Sequence, residues 1–343
     1  MPQDVIRAVE FETPRLEAGQ ALIEVVAAPI NPSDVLTLTG EYGQLPSLPA
    51  IGGREGVGRV AELAADTQGP AVGQLVLLPV GCGSWSTHVV ADAKELVQLP
   101  NEADPQQLAM MTINPPTAGL LLSEFVSLGP DEWVVQNAAN SAVGLYLVQL
   151  ARHRGHRTVN VLRREDAVAV VREAGGDLVL VDGDDLAERV SEATGGAKIR
   201  LGIDAVGGAV TGRLADCLCQ SATLVNYGRM SGEPCAVDPS AFIFRDLTVR
   251  GFWLASWFRH TPEQQRVAVV GEITRLIAEG QLYAPIHATY DVSEIKEAVA
   301  AAASGASRMP VALPCGTPTC RASLLRVSGH CPTGSRTKKS LWP

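Results

Sequence analysis

The stretch Trp133-Val134-Val135-Gln136-Asn137-Ala138-Ala139-Asn140-Ser141-Ala142-Val143-Gly144 decides the fold. It begins as a short apolar strand, continues as a loop of small residues, and opens an amphipathic helix from Val143 to Arg154 that stops at Gly155. A strand followed by a tight loop and a helix is the first unit of a β-α series. The stretch therefore predicts where an α/β domain begins.

The β-α alternation continues downstream of this unit. A helix is predicted from about Glu165 to Glu173, and helical segments separate the later strands. The further predicted strands are Thr158 to Leu162, Leu178 to Val181, Leu201 to Asp204, Ala222 to Asn226 and Thr248 to Leu254. Parallel strands need crossover helices to return, so the pattern predicts a doubly wound parallel sheet.

The small residues of the first loop indicate a dinucleotide site. They let backbone N–H groups approach a pyrophosphate, which then lies at the positive end of the helix. The pattern differs from G-x-G-x-x-G, because Ala and Ser replace two glycines. The prediction of a dinucleotide site depends on the position of this loop in a strand–loop–helix unit. The alternative is a tight turn that binds no ligand.

The second strand ends in Arg163 and Arg164. An acid at this point holds the ribose 2′-hydroxyl of NAD, whereas an arginine accepts the 2′-phosphate of NADP. The two arginines favour NADPH, and a solvated basic turn is the alternative. Glu165 and Asp166 follow at once and are predicted to begin the next helix.

The remainder of the chain has a different character. Residues 1–110 contain short strands punctuated by Gly and Pro, which predicts a compact β-rich domain. Residues 256–313 are predicted to return to that domain, with a helix at about 262–279, a strand at 287–290, a helix at 293–303 and a strand at 309–313. Residues 111–255 form the dinucleotide-binding domain. The last segment, 314–343, has no acidic residue and no strand or helix period, and is predicted to be disordered.

Composition excludes several classes of protein. The net charge is −9 and the pI is near 5.2, which argues against nucleic acid as a partner. No apolar run is long enough to span a bilayer, so no membrane partner is expected. Met1-Pro2-Gln3-Asp4 resembles neither a signal peptide nor a transit peptide, which predicts a cytoplasmic location. The seven cysteines are without framework spacing and indicate a reducing compartment.

Three motifs near the N-terminus complete the pattern. They are Asn31-Pro32-Ser33-Asp34, Gly40-Glu41-Tyr42-Gly43 and Gly52-Gly53-Arg54-Glu55-Gly56-Val57-Gly58. With Asn114-Pro115-Pro116-Thr117-Ala118 and the loop at 136–144, the chain resembles the zinc-free medium-chain dehydrogenases/reductases. It is most similar to the 2-enoyl thioester reductases of the mitochondrial trans-2-enoyl reductase type. The resemblance implies a Rossmann domain plus a β-rich GroES-like catalytic domain.

The resemblance also implies roles for individual residues. Tyr42 matches the catalytic tyrosine, although an aromatic turn residue that caps the core is the alternative. The family places a basic residue on its last strand, where this chain offers only Arg308. The residues implied to contact cofactor or substrate are Asn114 at the nicotinamide, Asn140, Ser141, Ala142 and Val143 at the pyrophosphate, Arg163 and Arg164 at the 2′-phosphate, and Tyr227, Gly228, Arg229, Met230, Phe252, Trp253 and Leu254 along the cleft. A homodimer that associates near residues 248–254 is implied as well.

No metal is expected in the site. Catalytic zinc needs three protein ligands, and arginine at position 54 replaces the histidine that zinc-using members carry. No cysteine lies near residue 34, and Cys82 stands alone before residue 110. The neighbouring Glu55 is predicted to form a buried ion pair with Arg54.

Three functions are compatible with these residues. The first is NADPH-dependent reduction of the 2,3 double bond of a 2-enoyl thioester, with Tyr42 as proton source or hydrogen-bond donor. The second is a quinone or enone reductase, in which Tyr42 need not be catalytic. The third is a non-catalytic NADPH-binding protein. The sequence leaves the acyl chain length open, and also whether CoA or a carrier protein delivers the substrate.

Overall fold

Two sets of strands organise the chain, one around each of the predicted domains. The computed structural model describes residues 1–12, 15–304, 309–313 and 320–325. The strands of these residues are β1 (Ile6–Phe11), β2 (Gln20–Pro29), β3 (Ala50–Ile51), β4 (Val57–Leu63), β5 (Leu75–Leu77), β6 (His88–Asp92), β7 (Val97–Gln98), β8 (Trp133–Gln136), β9 (Arg157–Leu162), β10 (Leu178–Val181), β11 (Leu201–Asp204), β12 (Thr223–Asn226), β13 (Thr248–Gly251), β14 (Ile286–Asp291), β15 (Met309–Leu313) and β16 (Cys320–Leu325).

The helices alternate with the strands in the second half of the chain. They are α1 (Pro32–Thr39), α2 (Pro105–Leu108), α3 (Asn114–Ser123), α4 (Ala142–His153), α5 (Val168–Glu173), α6 (Leu186–Thr194), α7 (Ala209–Asp216), α8 (Pro239–Arg245), α9 (Leu254–His260), α10 (Glu263–Ala278) and α11 (Ile295–Ala303). Short 3₁₀ helices lie at Pro2–Asp4, Ala93–Glu95, Glu165–Ala167 and Val292–Glu294.

The β-α series forms a parallel sheet in the order β10-β9-β8-β11-β12-β13. The order reverses beside β8, so the carboxyl ends of β8 and β11 flank the crevice where open α/β sheets bind ligands. The predicted doubly wound sheet is confirmed, and β8 has the predicted bounds. Glu165 and Asp166 begin a helical turn, as predicted.

The first part of the chain is β-rich. Strands β14, β15, β2, β4, β5 and β7 pair in that order, and β6 adds to β2. Because β15 pairs with Pro29 and Ala28 of β2, the late segment returns to the first domain. The predicted class, a Rossmann domain plus a GroES-like domain, is therefore confirmed, while the bounds at 110/111 and 255/256 stay a proposal.

A shared apolar core joins the two parts. Leu75 and Val57 of the first part pack in one cluster with Met111, Tyr146 and Leu276. Burial of this many aliphatic groups stabilises the junction without directional contacts. Among the described residues, no helix has the length and apolarity needed to cross a membrane.

The strand predicted at 248–254 is too long by three residues. Strand β13 ends at Gly251, and Leu254 begins α9. Its neighbour β12 ends at Asn226, whose carbonyl accepts the last ladder bond, from the N–H of Phe252. Beyond that point the backbone has no strand to pair with, so Trp253 turns the chain into the helix.

The prediction that 314–343 is disordered is wrong for six residues. Cys320–Leu325 forms β16, which pairs with β1 and with β3. Ala322, Ser323 and Leu325 are buried there. Composition missed this strand because β1 and β3 supply its hydrogen-bond partners from far away in sequence. The other residues of 314–343 lie outside the described part of the chain.

Candidate active site

A cleft of about 1910 Å³ lies between the β-rich part of the chain and the parallel sheet. Its walls include every residue that the sequence assigned to the site: Tyr42, Asn114, Asn140, Ser141, Ala142, Val143, Arg163, Arg164, Tyr227, Gly228, Arg229, Met230, Phe252, Trp253 and Leu254. The structure thus brings together residues from six separate stretches of sequence. Their individual roles remain predictions. Arg308 lies outside the described residues.

The loop between β8 and α4 is tightly built. Ala138 has a φ of 47°, in the left-handed region that non-glycine residues rarely adopt. Ser141 caps α4 by accepting the N–H of Gly144 at 3.2 Å. A Cβ on Gly144 would lie 2.5 Å from the carbonyl oxygen of Ala139, so only glycine allows this approach. The helix N-terminus faces the cleft, which suits a pyrophosphate.

A buried carboxylate organises the adjacent strand ends, and sequence reasoning missed it. Asp204, at the end of β11, accepts bonds from Asn137 Nδ2 at 2.6 Å, Thr211 Oγ1 at 2.7 Å and Asn226 Nδ2 at 3.0 Å. The backbone N–H groups of residues 206 and 207 also donate to it. Burial alone would raise the pKa of Asp204, but these bonds lower it overall. Asp204 therefore ties β8, β11 and β12 together where the cofactor loop begins.

The two arginines at the end of β9 are exposed above the cleft. Arg163 and Arg164 both line it. Arg164 Nε also lies 3.4 Å from Asp166 Oδ1, in an exposed ion pair. Exposed pairs of this kind contribute little and exchange readily. Both guanidinium groups are thus free to approach an anionic group at this edge of the sheet.

Tyr42 is held from across the cleft. Trp253 Nε1 donates a hydrogen bond to the Tyr42 hydroxyl oxygen at 3.0 Å. The two rings meet edge to face, with centroids 6.1 Å apart. Because indole N–H can only donate, the phenol accepts this bond and keeps its own proton for another acceptor. The chemistry available at Tyr42 is therefore proton donation into the cleft.

The guanidinium of Arg54 lies against the same tyrosine. Its Cζ is 4.7 Å from the centroid of the Tyr42 ring, a cation–π distance. The sequence named Arg54 as a residue that cannot bind zinc and as the ion-pair partner of Glu55, but assigned it no contact with Tyr42. Among the residues described, no group of three or more His, Cys, Asp or Glu side chains could hold a metal ion.

Glu55 does not pair with Arg54, contrary to the prediction. Glu55 is fully buried, and its Oε1 accepts from Asn31 Nδ2 at 2.8 Å. Its Oε2 accepts from Thr112 Oγ1 at 2.6 Å and from the Thr112 N–H at 3.0 Å. Arg54 points into the cleft whereas Glu55 points into the core, so the two neighbours cannot meet.

The Glu55 network reaches the cofactor side of the cleft. Asn31 Oδ1 accepts a bond from Asn114 Nδ2 at 2.8 Å. Glu55 thereby fixes Asn31, which in turn orients Asn114 at the start of α3. Burial raises the pKa of Glu55 to about 7, although the bonds from Thr112 and Asn31 oppose the rise.

The chain matches two family models. Residues 17–101 match the alcohol dehydrogenase GroES-like domain, and residues 142–270 match the zinc-binding dehydrogenase family. The mitochondrial enoyl-(acyl-carrier-protein) reductase of Rattus norvegicus is 35% identical over 310 residues, which cover 88% of this chain and 82% of that protein.

Two solved structures share the fold. The mitochondrial 2-enoyl thioester reductase Etr1p/Etr2p heterodimer from Candida tropicalis is 25% identical, with a TM-score of 0.80 over 91% of this chain and 96% of that one. The complex of Etr1p with NADP and crotonyl-CoA is 24% identical, with a TM-score of 0.80 over 89% and 93% of the two chains.

We expect Glu55→Gln to flatten the pH dependence of stability. The pKa of Glu55 is about 7 in the folded protein against an ordinary 4.5, so the folded state binds the proton more tightly. The stability from this difference is complete below pH 4.5 and is lost as the pH rises through 7. The wild type should lose on the order of 3 kcal/mol across this window, as measured by urea unfolding at several pH values.

Burial also raises the pKa of Asp34, to about 6, so the variant retains a smaller slope. Glu24→Gln, at an exposed position of β2, is the matched control and should follow the wild type. A Glu55→Gln profile parallel to that of the wild type would contradict the burial of a titrating Glu55.

Proposed function

Because the chain belongs to the 2-enoyl thioester reductases of the medium-chain dehydrogenase/reductase family, we propose that it reduces the 2,3 double bond of a 2-enoyl thioester with NADPH. The observation that carries the proposal is the hydrogen bond from Trp253 to Tyr42, which presents a phenolic proton inside the cleft. Reduction of an enoyl thioester needs one proton beside one hydride. The protein is accordingly an oxidoreductase that acts on CH–CH groups.

The cleft suits the cofactor. The loop at 140–143 would hold the pyrophosphate at the α4 N-terminus, and Arg163 and Arg164 would hold the 2′-phosphate. Asn114 would contact the nicotinamide, and residues 227–230 and 252–254 would line its cleft. When bound, NADPH supplies a hydride to C3 of the substrate. The Etr1p structure with NADP and crotonyl-CoA supports this cofactor and a thioester substrate.

Tyr42 has the acid role in this proposal. As C3 gains hydride, negative charge develops on the thioester oxygen, and C2 must accept a proton. The Tyr42 oxygen accepts the hydrogen bond from Trp253. Its O–H therefore stays available to protonate C2 or to donate a hydrogen bond to the thioester oxygen.

A quinone or enone reductase is not favoured. The curated relatives, including the rat protein at 35% identity, are named enoyl reductases. A quinone reductase would not require a phenol fixed by a cross-cleft bond. A protein that only binds NADPH would not require it either.

The prediction of a cytoplasmic location is wrong by the same comparison. The rat relative and those of Bos taurus and Homo sapiens are named mitochondrial enzymes. The prediction depended on the first residues of the chain alone. Nothing in the folded part of a reductase specifies its compartment.

The dimer remains part of the proposal. Strand β13 is the outer strand of the parallel sheet, and its four residues are exposed. Beside it, α8 exposes Phe242, Ile243 and Phe244, the last at 76%. An exposed apolar edge of this kind favours pairing with another chain. We propose that a second copy pairs along β13. The Candida protein forms a heterodimer.

Tyr42→Phe should lower kcat with crotonyl-CoA and NADPH by about a hundredfold, because general acid catalysis contributes on this order. NADPH oxidation followed by absorbance gives the rate, with NADH and a simple quinone as parallel substrates. Tyr283→Phe, at an exposed position outside the cleft, should keep the wild-type rate. Near-normal kcat in Tyr42→Phe would remove Tyr42 from the chemistry, and a wild type active on quinones alone would refute the proposed substrate.

The double variant Arg163→Gln and Arg164→Gln should bind NADPH at least about tenfold more weakly, because charge-assisted bonds to the 2′-phosphate are lost. Binding of NADH should stay unchanged. Fluorescence titration of both cofactors measures this split. Arg157→Gln, at the opposite end of β9, is the control. Equal weakening for both cofactors would place the arginines away from the 2′-phosphate.

Phe244→Glu should convert the protein to a monomer, because a charge would be buried against the second copy. Sedimentation velocity measures the mass, and Val72→Glu, at another exposed apolar position, is the control. A monomeric wild type, or a variant that stays dimeric, would refute pairing along β13.

A further inference from the structure

The guanidinium of Arg54 is half-buried in the cleft wall and has no protein acceptor. It lies over the face of the Tyr42 ring, with Cζ 4.7 Å from the centroid. No hydrogen bond or ion pair of the described chain involves its nitrogens. Five N–H donors are thus available at the position where Tyr42 presents its proton.

Two buried acids near Arg54 are committed elsewhere. Asp34 Oδ2 accepts the backbone N–H of Asn31 at 2.8 Å and caps α1. Glu55 accepts its three bonds inside the core. Burial raises the pKa of Asp34 to about 6, and the charge of Arg54 opposes that rise without forming an ion pair. The positive charge of Arg54 is therefore directed to whatever enters the cleft.

A ligand that displaces water from the half-buried guanidinium has to offer its N–H donors an acceptor. The proposed reaction creates such a ligand, because the thioester oxygen gains negative charge as hydride arrives at C3. Preorganised donors aimed at developing charge are among the largest contributions to catalysis. Arginine keeps its charge at every relevant pH and can supply this stabilisation without a metal.

We propose that Arg54 is a second catalytic residue, which donates to the thioester carbonyl oxygen and stabilises the enolate while Tyr42 protonates C2. The inference rests on the proposed function and deepens it. Tyr42 then acts as the acid, and Arg54 as the electrophile.

The electrons and protons balance in this scheme. Bound NADPH would supply the hydride for the C3–H bond, with loss of its C4–H bond, and would become NADP+. The C2–C3 π pair then becomes the C1–C2 π bond of the enolate, and the carbonyl π pair becomes a lone pair on the oxygen beside Arg54. As the Tyr42 O–H bond breaks, the C1–C2 π pair forms the C2–H bond, and a lone pair of the oxygen restores the carbonyl. The phenolate lies under the Arg54 cation and regains its proton from water.

The first experiment removes the charge and restores it from solution. Arg54→Met should lower kcat with crotonyl-CoA by about a hundred- to a thousandfold, as loss of one oxyanion donor does. Arg54→Lys should retain part of the rate. Added guanidinium ion should restore Arg54→Ala by at least about tenfold, whereas urea, which is neutral and of similar shape, should not. Affinity for NADPH, measured by fluorescence titration, should be unchanged.

The matched control is Arg157→Met. Arg157 also lies on an aromatic ring, with Cζ 5.6 Å from the Trp133 centroid, but at the far end of the sheet. Thermal unfolding of each variant identifies any that fails to fold. If Arg54→Met and Arg54→Ala are unstable, the kcat of Arg54→Lys, which keeps the positive charge, tests the proposal.

The second experiment needs no cofactor and no turnover. Acetoacetyl-CoA is a thioester whose enolate absorbs in the near ultraviolet. The wild type should increase the enolate absorption of the bound ligand, Arg54→Lys should do so in part, and Arg54→Met should not. This signature reports charge stabilisation at the oxygen, which a purely structural Arg54 would not alter once the ligand is bound.

The inference is overturned if Arg54→Met keeps kcat within about threefold of the wild type, if urea restores Arg54→Ala as well as guanidinium does, or if the enolate absorption is the same with and without Arg54. If the wild type and Arg54→Met reduce crotonyl-CoA equally well, the role of Arg54 is refuted and the proposed function stands. A wild type that does not reduce crotonyl-CoA removes the proposed function and this inference together.

Discussion

One buried carboxyl group, that of Glu55, holds the two walls of the cleft in register. It reaches from the first domain to Thr112, just before α3, and through Asn31 to Asn114. A carboxylate buried away from water needs hydrogen-bond donors, because leaving it without them costs about 2 kcal/mol or more. The relative position of the domains is therefore fixed by polar geometry as well as by the shared apolar core, and the cleft depends on both.

The second wall depends on a comparable group, Asp204, and comparing the two shows how donors compete with burial. Glu55 accepts three hydrogen bonds, and burial prevails, so its pKa rises. Asp204 accepts five, and its pKa falls. Burial penalises the charged form and each donor favours it, and the nearby charge of Asp34 adds to the rise at Glu55. Asp204 remains ionised in the folded protein and holds three strand ends together, whereas Glu55 titrates near neutrality.

Local sequence predicted most of the second domain, because its buried strands are short runs of β-branched and aliphatic residues between turn signals. Strands β8, β10 and β11 have the predicted bounds. The errors have a common cause in distant partners. Residues 252–254 lie outside the sheet because β12 offers them no partner beyond Asn226. Strand β16 forms because β1 and β3 supply its hydrogen-bond partners. The same applies to the site. The small-residue loop and the paired arginines are visible in the sequence, whereas the hydrogen-bond partners of Glu55 and the contact of Arg54 with the Tyr42 ring depend on the folded arrangement.

The pairing of β1 with β16 has a consequence for the order of folding. Ile6 lies opposite Leu325, so β1 is completed by a strand that follows it by more than 300 residues. Contacts this far apart in sequence form slowly, because a long loop must close before they contribute. The parallel sheet around β8 can assemble from neighbouring segments while the ribosome is still at work. The small sheet of β1, β16 and β3 cannot form until β16 has been synthesised, and until then β1 presents an unpaired edge that invites association with other chains.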